Sequence, residues 1–392
     1  MNAAYLVDYA RTAFTRAHPR KPEVDAWSSQ RSDALLGQVI DALLARSDIA
    51  GGSIEDLSVG CALPVKEQWS FGGRYPLWLS RLGPACASRQ IDQQCGSSLA
   101  ALRGTVREVQ TGAIQAGIAG GFESMSQVPM GPSLFQEGVL TVPQALMDSS
   151  RLDMSVAMNM GLTAERLARE SDISREAMDA YALRSHQRAA RAEQEGWFEG
   201  ERLTLTNPAG AVVARDAHIR PDTSLAKLAD LAPAFIEDGR VTAGNSSPLT
   251  SGAGAALVMS EAAMARHDLS PLARVVEVVD CGVTPERMGA GAAAAIERVL
   301  ARTGLRAEDI DAWEINEAFS VVPLYAMQTL GLDPERVNIH GGALALGHPL
   351  GATGIRLAGT LARTLQHRPG RYGCAAACIG GGQGIALILE RC

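Results

Sequence analysis

Apolar residues recur along the chain at spacings that predict helices alternating with strands. Between Leu35 and Leu44 they recur every three or four positions, which predicts a helix, and residues 54–61 then predict a turn and a buried strand. Residues 292–315 repeat the same order of apolar helix, Leu-Ala-Arg, Glu-Asp and strand at an offset of about 255 residues. We therefore expect an internal duplication and an α/β fold with buried, mixed or parallel sheets.

Residues 122–243 have a different character from the rest of the chain. They are rich in methionine and polar residues, with a strong helix predicted through Met178 and Tyr181 and a loop that contains Pro221 and Pro233. This pattern predicts an insertion that carries a lid or binding loops. We expect one half to comprise residues 1–121 with 244–268, the insertion 122–243 and the other half 269–392.

Composition and charge exclude several classes of protein. Hydrophobic residues make up 46% of the 392 residues, enough for a large buried core, so the chain is not disordered. The 36 basic and 43 acidic residues give a net charge of −7, which argues against a nucleic-acid partner or an anionic membrane surface. No apolar run approaches the roughly 20 residues of a membrane span.

The two ends of the chain and its cysteines bear on the compartment. Arg11, Arg16, Arg20 and Lys21 could mimic a mitochondrial presequence, but a strand that contains Asp8 precedes them. The last three residues, 390–392, are not a peroxisomal address, which leaves the cytoplasm as the expected compartment. Seven cysteines at irregular positions fit reduced thiols, and their spacing predicts no metal site.

Two segments carry side chains suited to nucleophilic catalysis. Cys95 directly precedes a predicted helix, whose free N–H groups and dipole lower a thiol pKa and stabilise an oxyanion. The alternative is a buried structural cysteine, which is the commoner case for any one cysteine. His348 lies in the glycine-rich segment 341–354 and could act as a general base, although a loop histidine without a role is the ordinary alternative.

Two further segments have residues that could act on a carbonyl. Cys378 ends a strand of small residues, and the glycines that begin at Gly380 allow N–H groups to converge on a negative charge, unless they only form a tight turn. Asn316 follows the strand of the second repeat and could hold a water or polarise a carbonyl, or simply cap a helix.

Together these four segments resemble the thiolase family, which cleaves 3-ketoacyl-CoA with coenzyme A or condenses two acyl-CoA molecules. The resemblance extends along the whole chain, through further motifs at residues 7–12, 120–126, 160–165 and 242–247. It implies a thiolase fold of duplicated α-β-α-β-α layered halves, with an inserted loop domain over a CoA channel. It also implies Cys95 as the acylated nucleophile, Cys378 as the acid/base at the substrate α-carbon, and His348 and Asn316 as their partners, with the N–H groups of Cys95 and Gly380 stabilising one oxyanion.

The resemblance also suggests contacts to coenzyme A. Arg220 would meet the nucleotide and Ser247 the pantetheine, although an arginine on a surface loop is more often solvated. The other candidates around the channel are apolar residues that could equally be simple packing: Met160, Leu231, Ala234, Phe235, Ala243, Ala318 and Phe319. The chain departs from the family at Asn159 and Pro248, which concern the pocket and thus acyl chain length, and at residues 13–15, in the N-terminal loop.

The leading hypothesis is thiolytic cleavage of 3-ketoacyl-CoA through a Cys95 acyl-enzyme, with coenzyme A as co-substrate and no permanently bound cofactor. The alternatives are an acetoacetyl-CoA-forming thiolase, a non-catalytic CoA-binding subunit and a Cys-His hydrolase. The family resemblance further implies a homodimer or homotetramer, and allows a partner subunit in a β-oxidation complex.

Overall fold

The computed structural model describes residues 2–128, 130 and 132–392, arranged around one large sheet. Its strands in chain order are β1 (Ala4–Thr12), β2 (Thr15–Arg16), β3 (Asp56–Gly60), β4 (Ala87–Ile91), β5 (Ala116–Ser124), β6 (Arg202–Leu203), β7 (Leu205–Thr206), β8 (Val212–Val213), β9 (Thr250–Ser260), β10 (Ala273–Gly282), β11 (Ile310–Ile315), β12 (Tyr372–Ile379) and β13 (Gln383–Glu390). Strands β7 and β8 form a separate small sheet.

Helices cover both sides of this sheet and build the inserted segment. In chain order they are α1 (Ser32–Arg46), α2 (Arg74–Trp78), α3 (Ser97–Thr111), α4 (Pro132–Gln136), α5 (Gln144–Met147), α6 (Met154–Ala157), α7 (Met160–Glu170), α8 (Arg175–Gln194), α9 (Leu225–Ala229), α10 (Glu261–His267), α11 (Gly291–Thr303), α12 (Val321–Leu330), α13 (Ala343–Leu346) and α14 (Leu350–His367). None of the described helices is long and apolar enough to cross a membrane.

The order of the strands reveals two copies of one unit. The first half runs β1-β9-β5-β3 and the second runs β10-β13-β12-β11, and the last pair of each series, β5 with β3 and β12 with β11, is parallel; in the first half β4 adds a further parallel strand beside β3. The two units join where β1 pairs antiparallel with β10, Ala4 opposite Val275. This arrangement confirms the duplicated α/β halves that the sequence predicts.

Helices α3 and α14 pack against each other and form the innermost layer. Their apolar residues share one core with side chains from both halves of the sheet, including Leu99, Leu361 and Leu387. The two helices approach so closely at Gly354 that a Cβ there would lie 2.6 Å from the backbone nitrogen of Leu99. Helix α1 covers the outer face of the first half of the sheet, and α11 covers the outer face of the second half. With α3 and α14 between the two halves, the layers number five.

The segment between β5 and β9 carries helices α4 to α9 and strands β6 to β8. Its helix α7 begins at a departure from the family pattern, where the Asn159 side chain accepts hydrogen bonds from the backbone N–H groups of Gly161 and Leu162. Asn159 thus serves as a helix cap, one of the best residues for that position. The limits 1–121 with 244–268, 122–243 and 269–392 for the three segments stay a prediction.

Candidate active site

Cys95 lies in a strained turn between β4 and α3. Gln94, the residue before it, has a left-handed φ of 46°, and its side-chain amide donates to the Ala62 carbonyl at 3.0 Å. Gly96, the residue after it, has no space for a side chain because a Cβ would lie 2.4 Å from Cδ1 of Ile379. The turn is therefore pressed against the end of β12, which carries the second thiol.

Cys378 stands next to last in β12, opposite Gly384 in β13, and is completely buried. Burial raises the pKa of the Cys378 thiol, and negative charge on Cys95 raises that pKa further. The two thiols are thus near enough to interact electrostatically, so they do not both ionise at neutral pH. The glycines after Cys378 form the tight turn from β12 to β13, and their role in stabilising a negative charge stays a prediction.

The hydrogen bonds of His348 fix which ring nitrogen carries the proton. Thr353 donates its hydroxyl hydrogen to the Pro349 carbonyl at 2.9 Å, so its oxygen accepts the N–H of His348 Nδ1 at 2.6 Å. Nε2 is then the unprotonated nitrogen, and it accepts from the Asn316 side-chain amide at 3.3 Å. The lone pair of the imidazole therefore lies on Nε2, and His348 would act as a general base from this nitrogen once the Asn316 amide releases it.

Asn316 follows β11 and is anchored to the neighbouring strand, where its backbone N–H donates to the Ala376 carbonyl at 2.8 Å. Its side-chain Oδ1 is buried and accepts no hydrogen bond from any described residue. A buried acceptor without a partner costs free energy, so this oxygen is suited to hold a water or a polar substrate group.

The protonation states of Cys95 and His348 correct one sequence prediction. The N-terminus of α3 was expected to lower the thiol pKa, yet burial raises the pKa of Cys95 to about 12, against the lowering effect of the N–H groups of Gly380 and Cys95. The half-buried thiol packs on an apolar group formed by Ala17, Ala62, Met125 and Leu350, which disfavours the thiolate.

Burial also shifts the pKa of His348, but downward. Burial, followed by the positive charge of Arg356, lowers the pKa of His348 to about 3. The resting pair is therefore a neutral thiol and a neutral imidazole. At neutral pH Nε2 of His348 is therefore unprotonated. The transfer of the thiol proton to it would wait for the substrate.

Glu123 is a buried carboxyl that the sequence interpretation left without a role. It stands next to last in β5 and accepts hydrogen bonds from the Gln68 side chain at 2.6 Å and from the backbone N–H groups of Ala62 and Gly351 at 2.9 Å each. Burial raises the pKa of Glu123 to about 7. It thus ties the loop after β3 to the start of α14, two segments that border Cys95 and His348.

A cavity of about 240 Å³ opens between the inserted segment and the core. Of the candidate CoA residues, Arg220, Leu231 and Ala243 line it. The cavity also has polar lining residues that sequence reasoning missed: His186, His218, Asp222, Thr223, Lys227 and Ser246. Lys227 donates to the Asp222 carboxylate at 2.7 Å.

The other candidate CoA residues are not among those that line this cavity. Ser247 donates its backbone N–H to the Ala318 carbonyl at 2.9 Å, and Ala234 donates to Val241 at 2.9 Å. The Phe235 ring meets that of Phe319 edge-on, 6.3 Å between centroids.

Met160 lies beside the turn that follows Cys378. Its sulfur would be 3.5 Å from a Cβ on Gly380. Beside it, Phe235 occupies the space over Gly161, where a Cβ would come within 2.2 Å of the ring.

Comparisons with known proteins agree along the whole chain. The thiolase N-terminal domain matches residues 4–262 and the thiolase C-terminal domain residues 269–391. The 3-ketoacyl-CoA thiolases of Shigella sonnei and Bacillus subtilis are 39% and 37% identical to the chain, each over 100% of both sequences. Human mitochondrial 3-ketoacyl-CoA thiolase in complex with CoA superposes with a TM-score of 0.87 at 32% identity, over 100% of this chain and 98% of that one. The dimeric peroxisomal thiolase of Saccharomyces cerevisiae gives a TM-score of 0.89 at 32% identity and the same coverage.

Proposed function

This chain belongs to the thiolase family, and we propose that it cleaves 3-ketoacyl-CoA with coenzyme A to acetyl-CoA and a shortened acyl-CoA. The observation that carries the proposal is the protonation state of the site residues: a neutral imidazole whose Nδ1 carries the proton, and protonated thiols at Cys95 and Cys378. The chain requires no permanently bound cofactor for this chemistry, since coenzyme A enters as a substrate.

In the first half-reaction the Cys95 thiol acts as the nucleophile. Nε2 of His348 takes the thiol proton while the sulfur attacks the 3-keto carbon, and a carbon–sulfur bond forms. The bond between C2 and C3 then breaks, its electron pair passes to the acetyl-CoA enolate, and the enolate takes a proton from Cys378. Acetyl-CoA leaves, with the acyl group on Cys95, a proton on His348 and a thiolate at Cys378.

In the second half-reaction coenzyme A accepts the acyl group. The Cys378 thiolate takes the proton of the CoA thiol, the CoA sulfur attacks the acyl-Cys95 thioester, and Cys95 leaves. The proton on His348 returns to Cys95, which restores the resting state.

Two negative oxygens form at different moments, and different donors are suited to each. We assign one to His348 and a water held by the unpartnered Oδ1 of Asn316. The other falls to the N–H groups of Cys95 and Gly380, both of which favour negative charge at the sulfur. Arg220, Leu231 and Ala243 would hold the nucleotide, and Ser247 the pantetheine.

The test is CoA-dependent consumption of 3-ketoacyl-CoA substrates from short to long chains, with Cys95→Ser as the inactive control. Cys378→Ala tests the second thiol: without the proton donor to the enolate, this variant should fail to cleave the carbon–carbon bond. Consumption of acyl substrate without CoA would instead indicate a hydrolase, and CoA binding without turnover a non-catalytic subunit.

The family relationship supports an oligomeric assembly, and the compartment is an expectation from the sequence. We propose a homodimer or homotetramer that acts in the cytoplasm in acyl-CoA degradation such as fatty-acid β-oxidation, with a partner subunit as a further possibility to be tested. Sedimentation of the purified chain tests the first point, and a species of only 41.3 kDa would contradict it.

A further inference from the structure

A second cleft, of about 540 Å³, lies beside the cavity for coenzyme A. The two share a wall made of His218, Arg220 and Pro248. The opposite side of the cleft is formed by residues 16–20, the end of β2 and the loop after it, which follow directly on the departure from the family pattern at residues 13–15. We call this cleft, with its basic residues Arg16, His18, Arg20, His218 and Arg220, the basic cleft.

The basic cleft concentrates positive charge that the protein itself does not neutralise. Among the described residues, Arg16, Arg20 and Arg220 have no carboxylate within 4.0 Å, and no acidic side chain lines the cleft. By contrast, Arg11 in β1 is paired with both Glu201 and Asp216. Cations gathered around an opening without a counterion favour an anionic ligand.

The loop that supplies two of these arginines is held in place. The ring nitrogen Nδ1 of His18 accepts hydrogen bonds from the backbone N–H groups of Arg20 at 3.2 Å and Lys21 at 3.1 Å. The backbone N–H of His18 in turn donates to the Ser126 hydroxyl at 3.0 Å, and that of Ala17 donates to the Leu249 carbonyl at 3.0 Å. Such anchoring reduces the entropy lost when the arginines order around a ligand.

His218, in the wall shared with the first cavity, is affected by this positive charge and connects the cleft to His348. Burial, together with the cations of Arg16 and Arg220, lowers the pKa of His218 to about 4. Nε2 of His218 lies 3.4 Å from the Thr250 hydroxyl oxygen, which accepts the backbone N–H of His348 at 3.0 Å. A ligand that touches His218 would therefore be separated from the general base His348 by two residues, His218 and Thr250.

The charge of coenzyme A exceeds what the first cavity can balance. Lys227 is already paired with Asp222, which leaves Arg220 as the cation of that cavity without a carboxylate partner. Coenzyme A carries a diphosphate and a 3′-phosphate, and the planar guanidinium of arginine matches phosphate oxygens in pairs. The neighbouring basic cleft offers two more such groups.

We propose that the basic cleft binds a phosphate group of the coenzyme A moiety, with Arg16 and Arg20 as phosphate-binding residues. The inference rests on the proposed function, because it takes coenzyme A as the ligand. A carboxylate at the far end of an acyl chain would present similar oxygens, but the shared wall with the nucleotide cavity favours the phosphate.

The experiment compares the double variant Arg16→Gln/Arg20→Gln with the double variant Arg81→Gln/Arg306→Gln. The second pair removes the same charge from exposed sites outside the cleft, where the side chains are 62% and 73% accessible. Calorimetric titration of the full chain with coenzyme A and with 3′-dephospho-CoA, at low and high salt, measures binding directly, and circular dichroism checks the fold of each variant.

We expect the cleft variant to bind coenzyme A about tenfold more weakly at low salt, with a deficit that shrinks at high salt because screening weakens exposed ion pairs. A deficit that vanishes with 3′-dephospho-CoA identifies the 3′-phosphate, and one that persists identifies the diphosphate. Both results support the proposal.

Equal affinity of the cleft variant and the wild type would overturn it. So would a deficit confined to substrates whose acyl chain ends in a carboxylate, which would assign the cleft to the acyl group. Turnover of 3-ketoacyl-CoA by the wild type is measured in parallel: a chain that binds coenzyme A through the cleft but cleaves nothing would refute the proposed function and leave this inference intact.

Discussion

Cys95 and His348 occupy equivalent places in the two repeats, each two residues ahead of one of the paired central helices. Helix α3 begins at Ser97 and helix α14 at Leu350, and the two helices meet where Gly354 approaches Leu99. The separation of nucleophile and base is therefore set by how closely these helices pack.

Gly354→Ala should push the two helices apart. A methyl group 2.6 Å from a backbone nitrogen cannot be accommodated, so we expect a loss of about 1–3 kcal/mol in the free energy of unfolding and at least about a tenfold fall in kcat/KM. The matched control is Gly104→Ala on α3, where no atom lies within 4 Å; it should gain about 0.5–1 kcal/mol without loss of activity. Denaturant titration and steady-state kinetics measure both, and full activity in Gly354→Ala would contradict this view of the site.

Thr353→Val should remove the hydrogen bond that keeps the proton of His348 on Nδ1. The variant removes the acceptor for the Nδ1 proton, leaves that N–H unpaired in a buried site, and should reduce kcat by about 10- to 100-fold with little change in the KM for coenzyme A. Thr353→Ser restores the hydroxyl and should recover most of the activity.

Thr364→Val provides the control on the same helix, since among the described residues its hydroxyl bonds only to the Thr360 carbonyl. It should alter stability and not kcat. If both threonine variants lost activity equally, the effect would be structural.

Asn316→Asp should add an acidic limb to the pH profile. A carboxylate 3.3 Å from Nε2 favours the imidazolium, so the pKa of His348 should rise from about 3 toward neutrality. Activity relative to the wild type should then fall further at pH 6 than at pH 9. Asn316→Ala, which adds no charge, should lose activity without this new pH dependence, and matching profiles for the two variants would refute the argument.

The pH dependence of the alkylation rate should show that His348 does not ionise the Cys95 thiol. Because burial raises the pKa of Cys95 to about 12, its reaction with iodoacetamide should accelerate about tenfold per pH unit from pH 7 to 10, with no plateau. Mass spectrometry of the Cys95 peptide follows the reaction, with the exposed Cys392 in the same sample as internal reference. A plateau below pH 8 would instead indicate a thiolate–imidazolium pair.

Glu123→Gln should change how stability depends on pH. The folded pKa of Glu123, about 7, exceeds the ordinary value of 4.5, so folding favours the protonated carboxyl. The contribution of this group is fully present below pH 4.5 and is lost as pH rises through 7, a change of at most about 3 kcal/mol. Urea titrations from pH 5 to 8 should show the wild type losing stability relative to Glu123→Gln, and a difference that grows in the other direction would contradict the sign.

The sequence predicts the duplicated fold, which the structure confirms, because the fold depends on local pattern; the catalytic roles of the four site residues stay a prediction. Strand, helix and glycine-rich turn recur in order, and each reactive side chain stands at the end of an element where the pattern is strongest. The family resemblance adds the roles that no single motif supports.

What the sequence could not predict depends on residues that are distant along the chain. The pKa of Cys95 is raised by burial among residues such as Ala17 and Leu350, which outweighs the nearby helix N-terminus. The protonated nitrogen of His348 follows from which acceptor the Thr353 hydroxyl selects. The basic cleft forms only when residues 16–20 meet residues 218–220 and 248–249.

The position of β1 in the middle of the sheet has a consequence for biosynthesis. Its two long-strand neighbours are β9, from residue 250 onward, and β10, from residue 273 onward. Strand β1 therefore keeps most of its edges unpaired while some 240 residues are added, which exposes a template for aggregation and makes folding slow. The sheet closes around β1 only after both of these partners have been made.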